Sequence, residues 1–124
     1  DVMDTKDKRR VPDIGLISSG YTMDLMGSHQ RVQIRSWAAE LRIVKNVDFP
    51  WDPDVWYSMK MQVDYVGDKG VVRGKVWKKD DKEPEAWTIE VEDPLPIKNG
   101  SPGLYGNSSA TLYFDNVQVI PKSK

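Results

Sequence analysis

No cysteine occurs among the 124 residues, which excludes disulfides, thiol catalysis and thiolate metal sites. It leaves the compartment open, because extracytoplasmic proteins can also do without cysteine. There is one histidine, His29, so a histidine metal cluster or a nucleophile–histidine pair has no second member. Neither sign of charge dominates. Lys and Arg total 18 against 19 Asp and Glu, and the basic excess of a nucleic-acid platform is missing. No apolar run approaches the roughly 18 residues that a membrane-spanning helix needs. No Gly-Lys-Ser/Thr follows the glycine-rich stretch at Gly100-Ser101-Pro102-Gly103, so it is not a phosphate loop.

What remains is a chain with 39% hydrophobic and 30% charged residues, the profile of one globular domain over residues 1–124. Its apolar residues recur with a period of two, the period of strands with one buried face. Ile14 and Leu16, then Tyr21, Met23 and Leu25, then Val32 and Ile34 lie on one side, while Arg31, Gln33 and Arg35 point the other way. Gly27-Ser28-His29 supplies turn chemistry between them. Residues 36–46 fit either a short helix (Trp37, Leu41 and Val44 at helical spacing) or a strand over residues 40–47, and the strand suits its neighbours better.

Phe49-Pro50-Trp51-Asp52-Pro53-Asp54 breaks any regular element. Val55, Tyr57, Met59, Met61, Val63 and Tyr65 then alternate with polar partners over a length at which a helix would scatter them around its surface. Gly67-Asp68-Lys69-Gly70 closes a hairpin into residues 71–79, with Val72, Gly74 and Val76 on one side and Arg73, Lys75 and Trp77 on the other. A charged loop follows, then Trp87, Ile89 and Val91 in alternation, ended by Asp93-Pro94-Leu95-Pro96 because proline cannot donate to a ladder. The glycines of residues 100–106 read as a tight connection with positive φ angles, and residues 111–120 as the last strand. Some nine short strands without a helix predict an all-β, antiparallel β-sandwich.

Four segments carry a resemblance: Val72-Val-Arg-Gly-Lys-Val-Trp77, Glu83-Pro-Glu-Ala-Trp-Thr-Ile-Glu90, Gly100-Ser-Pro-Gly-Leu-Tyr-Gly106 and Tyr113-Phe-Asp-Asn-Val117. With Pro12-Asp-Ile-Gly-Leu16 and Tyr21-Thr-Met-Asp-Leu-Met-Gly27, the chain resembles concanavalin A-like, laminin-G-like jelly-roll domains. These are the domains appended to bacterial extracytoplasmic β-propellers of the quinoprotein-like kind. The resemblance implies a jelly roll lacking its first strands, with Asp1 to Asp4 as the end of one and the chain as the C-terminal portion of a longer protein. It also implies a bacterial periplasmic or cell-surface location. The function it implies is sugar binding, glycoside hydrolysis, or adhesion and assembly as an accessory subunit of a larger membrane-associated complex, respiratory or photosynthetic.

Arg35, Trp37, Arg73, Lys75 and Trp77 are the candidate ligand-binding residues. In one sheet, these outward sets would form a polar face with aromatic rings, where rings stack on pyranose faces and cations donate to hydroxyls. The alternative is a solvated face whose cations pair with Asp64, Glu90 and Glu92. Trp51, Trp56 and Trp87 read as core or edge anchors. Asp115 and Asn116, with Asp13 or Asp24, offer oxygen ligands for Ca²⁺, against a plainer role in capping a bulge or loop; no other cofactor is expected. Glycosidase chemistry needs two carboxylates about 5 to 10 Å apart across the sugar. Glu83 and Glu85 lie in a loop, while Glu90 and Glu92 alternate outward like surface residues, so no catalytic residue is assigned. The expected partners are a glycan or a protein of a larger assembly.

Overall fold

The computed structural model describes residues 1–4, 13–36, 43–96, 100–107 and 111–120. Among them are ten strands and no helix: β1 (Val2–Asp4), β2 (Asp13–Ser18), β3 (Tyr21–Met26), β4 (Arg31–Ser36), β5 (Val44–Asp48), β6 (Tyr57–Val66), β7 (Lys69–Lys78), β8 (Ile89–Asp93), β9 (Gly103–Asn107) and β10 (Leu112–Phe114). They form two antiparallel five-stranded sheets. The first has the order β10-β1-β6-β7-β8, the second β5-β4-β3-β2-β9. The chain thus lays down β1, makes a meander of four strands in the second sheet, crosses back for β6 to β8, and adds one more strand to each sheet.

The alternation in the sequence sets what faces inward. Ile14, Tyr21, Met23, Leu25, Val32 and Ile34 of the second sheet meet Val2, Tyr57, Val72, Val76 and Ile89 of the first in one buried cluster. The sheets are held close at Gly74, where a Cβ would come within 2.6 Å of the Met23 sulfur. A buried polar pair pins the same interface: the Tyr21 hydroxyl donates to Asp93 Oδ2 at 2.6 Å, and the Leu95 amide donates to Asp93 Oδ1 at 2.9 Å. Further along the same strand, Lys45 of edge strand β5 donates to the Glu90 carbonyl of edge strand β8 at 2.7 Å.

Turn chemistry fixes the registers. Ser19 and Gly20 both have positive φ, 52° and 80°, which matches a two-residue type I′ turn between β2 and β3. Gly67 alone is positive in the turn between β6 and β7, the pattern of a II′ turn. Trp51 is buried, edge-on to Tyr57 at 6.0 Å between centroids. Its amide donates to Gln30 Oε1 at 2.6 Å and its indole N–H to the Met26 carbonyl at 3.2 Å. It is the anchor expected of it, tying the proline-rich crossover to the end of the β3–β4 hairpin.

Two expectations are corrected. Residues 100–106 are not simply a turn: Gly103–Asn107 is a strand, paired antiparallel with β2 from Asp13↔Asn107 to Ile17↔Gly103. Gly106 serves close approach, since a Cβ there would lie 2.5 Å from Leu112 Cδ1. The final strand, expected over residues 111–120, covers only Leu112–Phe114. It ends where Asn116 takes φ 52° and its amide turns onto Asp115 Oδ1 at 2.8 Å. Beyond it, Val117, Val119 and Ile120 are exposed. Between the helix and strand readings of residues 36–46, Val44–Asp48 is a strand, and residues 37–42 lie outside the described residues.

Candidate functional site

The structure does not bring the expected ligand-binding residues onto one face. Arg35 lies on β4 of the second sheet, and Arg73, Lys75 and Trp77 lie on β7 of the first. The core separates the two sheets, so the outward sets look away from each other. The sequence shows outward alternation on each strand, but the crossover at residues 49–56 puts the strands in different layers. Trp37 lies outside the described residues.

On β7 the cations are already engaged. Arg73 Nε donates to Glu90 Oε2 at 2.6 Å and its Nη1 to Asp64 Oδ2 at 3.3 Å. The pairing with Glu90 reinforces the guanidinium's positive charge. Lys75 is 6% exposed, not an open contact residue. Its ammonium donates to Glu83 Oε2 at 3.0 Å and to the Pro84 carbonyl at 2.7 Å, and sits 4.7 Å from the centre of the Trp87 ring. The hydrogen bond from Lys75, supported by Lys60, holds the Glu83 carboxyl below its ordinary value. Lys75 therefore fastens the charged loop after β7 down onto the sheet, and Trp77 is left half-buried beside Ser58. Glu83 and Glu90 are ion-pair partners. Glu92 pairs with Lys69 at 3.6 Å rather than with Arg73.

The outer face of the second sheet is built differently. Because Tyr21, Met23 and Leu25 point into the core, Thr22 and Asp24 point outward, yet both are buried. The registers align Tyr105, Gly15, Asp24, Gln33 and Asn46 in one row across five strands, with Ile17, Thr22, Arg35 and Val44 in the next. Gln33 Nε2 donates to Asn46 Oδ1 at 2.9 Å at the exposed end of the row. Arg35 lies over the Tyr105 ring, 5.3 Å from its centroid, a cation–π contact. Its Nε is 4.0 Å from Asp24 Oδ2, an ion pair too long for a hydrogen bond.

The Asp24 side chain is 3% exposed, and its Oδ1 is buried with no hydrogen-bond partner among the described residues. Burial pushes its carboxyl up to about 6; Arg35 opposes the shift and Asp13 adds to it. A buried carboxylate with an unsatisfied oxygen costs stability. Strongly shifted groups of this kind concentrate at functional sites.

Asp115 and Asn116 lie at the end of β10 against the first residue. The Asp1 amine donates to the Asp115 carbonyl at 2.8 Å, and Asn116 Nδ2 to Asp1 Oδ2 at 3.2 Å. Asp13 is occupied elsewhere, accepting the Gly27 amide at 2.9 Å. Among the described residues, no three His, Asp or Glu side chains gather as a metal site. No helix there is long and apolar enough to cross a membrane. No protein-family model, curated protein or solved structure matches the chain.

Two members of this site were not singled out as binding residues from sequence. Asp24 entered only as a carboxylate for Ca²⁺, although a lone charge amid Tyr21-Thr-Met-Asp-Leu-Met26 was a signal of a buried polar group. Tyr105 was absorbed into a glycine-rich connection. The apolar–aromatic alternation of Leu104 and Tyr105 could have marked it as strand.

Proposed function

We propose that this chain is a non-catalytic binding module that engages a neutral, hydroxylated ligand, in the first instance a glycan, on the outer face of its second sheet. The sandwich is read as a concanavalin A-like jelly roll of a bacterial extracytoplasmic protein, on the strength of the sequence resemblance. The observation that carries the binding reading is the buried Asp24 carboxylate beneath Arg35, which itself lies over Tyr105. A fold gains no stability from an unsatisfied buried carboxylate, so its presence points to use.

The surroundings suit a sugar. Tyr105 offers a ring for the apolar face of a pyranose, while Gln33, Asn46 and Arg35 offer donors and acceptors for hydroxyls. Facing cations and anions (Arg31 and Arg35, Asp13, Asp24 and Asp48) roughly cancel, which favours a neutral ligand over a charged one. The β7 face is a poorer candidate because Arg73 and Lys75 have their partners within the chain. A glycan array followed by calorimetry on any hit tests the reading, and absence of binding to every glycan sinks it.

A second reading, an accessory subunit docked on the periplasmic side of a larger membrane-associated assembly, is favoured by one observation. Val117, Val119, Ile120 and Leu104 are exposed around a cavity of about 230 Å³ also lined by Leu16 and Met61. Apolar exposure of this kind marks contact surfaces. Gentle purification of the native protein separates the readings: a lone monomer counts against the second.

A further inference from the structure

We propose that the Asp24 carboxylate is a protonation-dependent anchor for Arg35, so that ionisation of Asp24 tightens the Arg35–Tyr105 platform. This deepens the binding reading above and rests on it for its consequence, although the anchor itself is a property of the unliganded protein.

The geometry carries it. Asp24 and Arg35 lie diagonally across the β3–β4 pairing, Asp24 opposite Gln33 and Arg35 opposite Thr22. The guanidinium reaches back over β3 toward β9, where Tyr105 stands opposite Gly15. Gly15 leaves this route clear, and it cannot be otherwise: a Cβ there would lie 2.1 Å from the Met23 carbonyl oxygen. The ion pair at 4.0 Å is the carboxylate's hold on Arg35, and Coulomb attraction at that distance is strengthened where water is excluded. When Asp24 takes up a proton the attraction disappears, and the carboxyl can donate or accept in a new arrangement.

The charged and titratable groups facing Asp24 among the described residues are Asp13 from β2, Arg31 and Arg35 from β4, and Tyr105 from β9. Tyrosine and arginine do not titrate near neutrality. Asp13 is the one other carboxylate, and its Oδ1 accepts the Gly27 amide. Burial puts the Asp24 transition at about 6, within the range that an extracytoplasmic protein meets. Ligand affinity then falls as the medium acidifies through that value.

The test is an NMR titration of the isotopically labelled, unliganded protein from pH 4.5 to 8, following Asp24 Cγ, Arg35 Nε–Hε and the Tyr105 ring protons. The anchor predicts one shared midpoint near 6, and loss of the Arg35 and Tyr105 transitions in Asp24→Asn. Arg35 and Tyr105 signals that stay flat while Asp24 titrates overturn it, as does an Asp24 midpoint below 4.5. Because the wild-type titration is decisive by itself, a poorly folded variant does not rescue the idea. The glycan array at pH 5 and pH 7.5 separates the two claims. Shared titration without any glycan bound removes the binding reading and keeps the anchor. Glycan bound equally at both pH values, with flat Arg35 and Tyr105 signals, does the reverse.

Discussion

Asp24 and Asp93 are both buried carboxylates, and their surroundings give them opposite consequences for stability. Asp93 accepts from Tyr21 and from the Leu95 amide, so its burial is compensated. Tyr21→Phe removes that donor from the buried Asp93 carboxylate. Unfolding by denaturant is expected to show a loss of about 2 kcal/mol, whereas an unchanged midpoint would contradict the role given to the pair. Asp24 is uncompensated at Oδ1, and its carboxyl is raised from 3.8 to about 6. The folded state therefore binds the proton more tightly than the unfolded chain. The stability this confers is fully present below about pH 4 and is lost as pH rises through about 6. A rise from 3.8 to about 6 corresponds to about 3 kcal/mol. Asp24→Asn should raise stability at pH 7.5 by up to about that amount and leave it little changed at pH 4, measured as thermal midpoints of the two proteins across the range. A variant less stable than wild type at pH 7.5 would show that the charged form is supported after all.

At the scale of the element, β7 and the loop that follows it act as a unit. Lys75 is the fastening, through Glu83, Pro84 and Trp87, so Lys75→Met keeps most of the buried stem and removes the charge that holds the loop. Hydrogen exchange should rise several-fold across residues 80–87 while the core strands keep their protection. Unchanged exchange in that loop would refute the fastening. Strand identity in this region was readable from sequence because Met59, Met61, Val63 and Val72, Val76 alternate cleanly over long runs, and Gly67-Asp68 spells out the turn. The polar alternative for Arg73 was also readable, since Asp64 and Glu90 are its neighbours in the registers. Layer assignment was not. Outward residues on β4 and β7 look alike in a one-dimensional pattern, and which sheet a strand joins is decided by long-range pairing. β9 was hidden because two glycines in five residues lower strand propensity, though here Gly106 admits Leu112 at close range. The final strand was over-extended because Val117, Val119 and Ile120 keep the alternation without being buried by it.

For the whole molecule, the two faces of the sandwich are built differently. The first sheet's outer surface is a closed set of ion pairs and a clamped loop. The second sheet's carries an aromatic ring, a largely buried guanidinium, amide side chains and a buried carboxylate beneath them. On the proposed function, ligand is met on the second sheet and not on the first. One measurement addresses it most directly: the affinity of wild type, Tyr105→Ala and Trp77→Ala for the same glycan, by calorimetry at pH 7.5. The account predicts at least a tenfold loss, about 1.4 kcal/mol, for Tyr105→Ala and no change beyond twofold for Trp77→Ala. Loss of binding in Trp77→Ala with Tyr105→Ala intact would move the site to β7 and contradict the account.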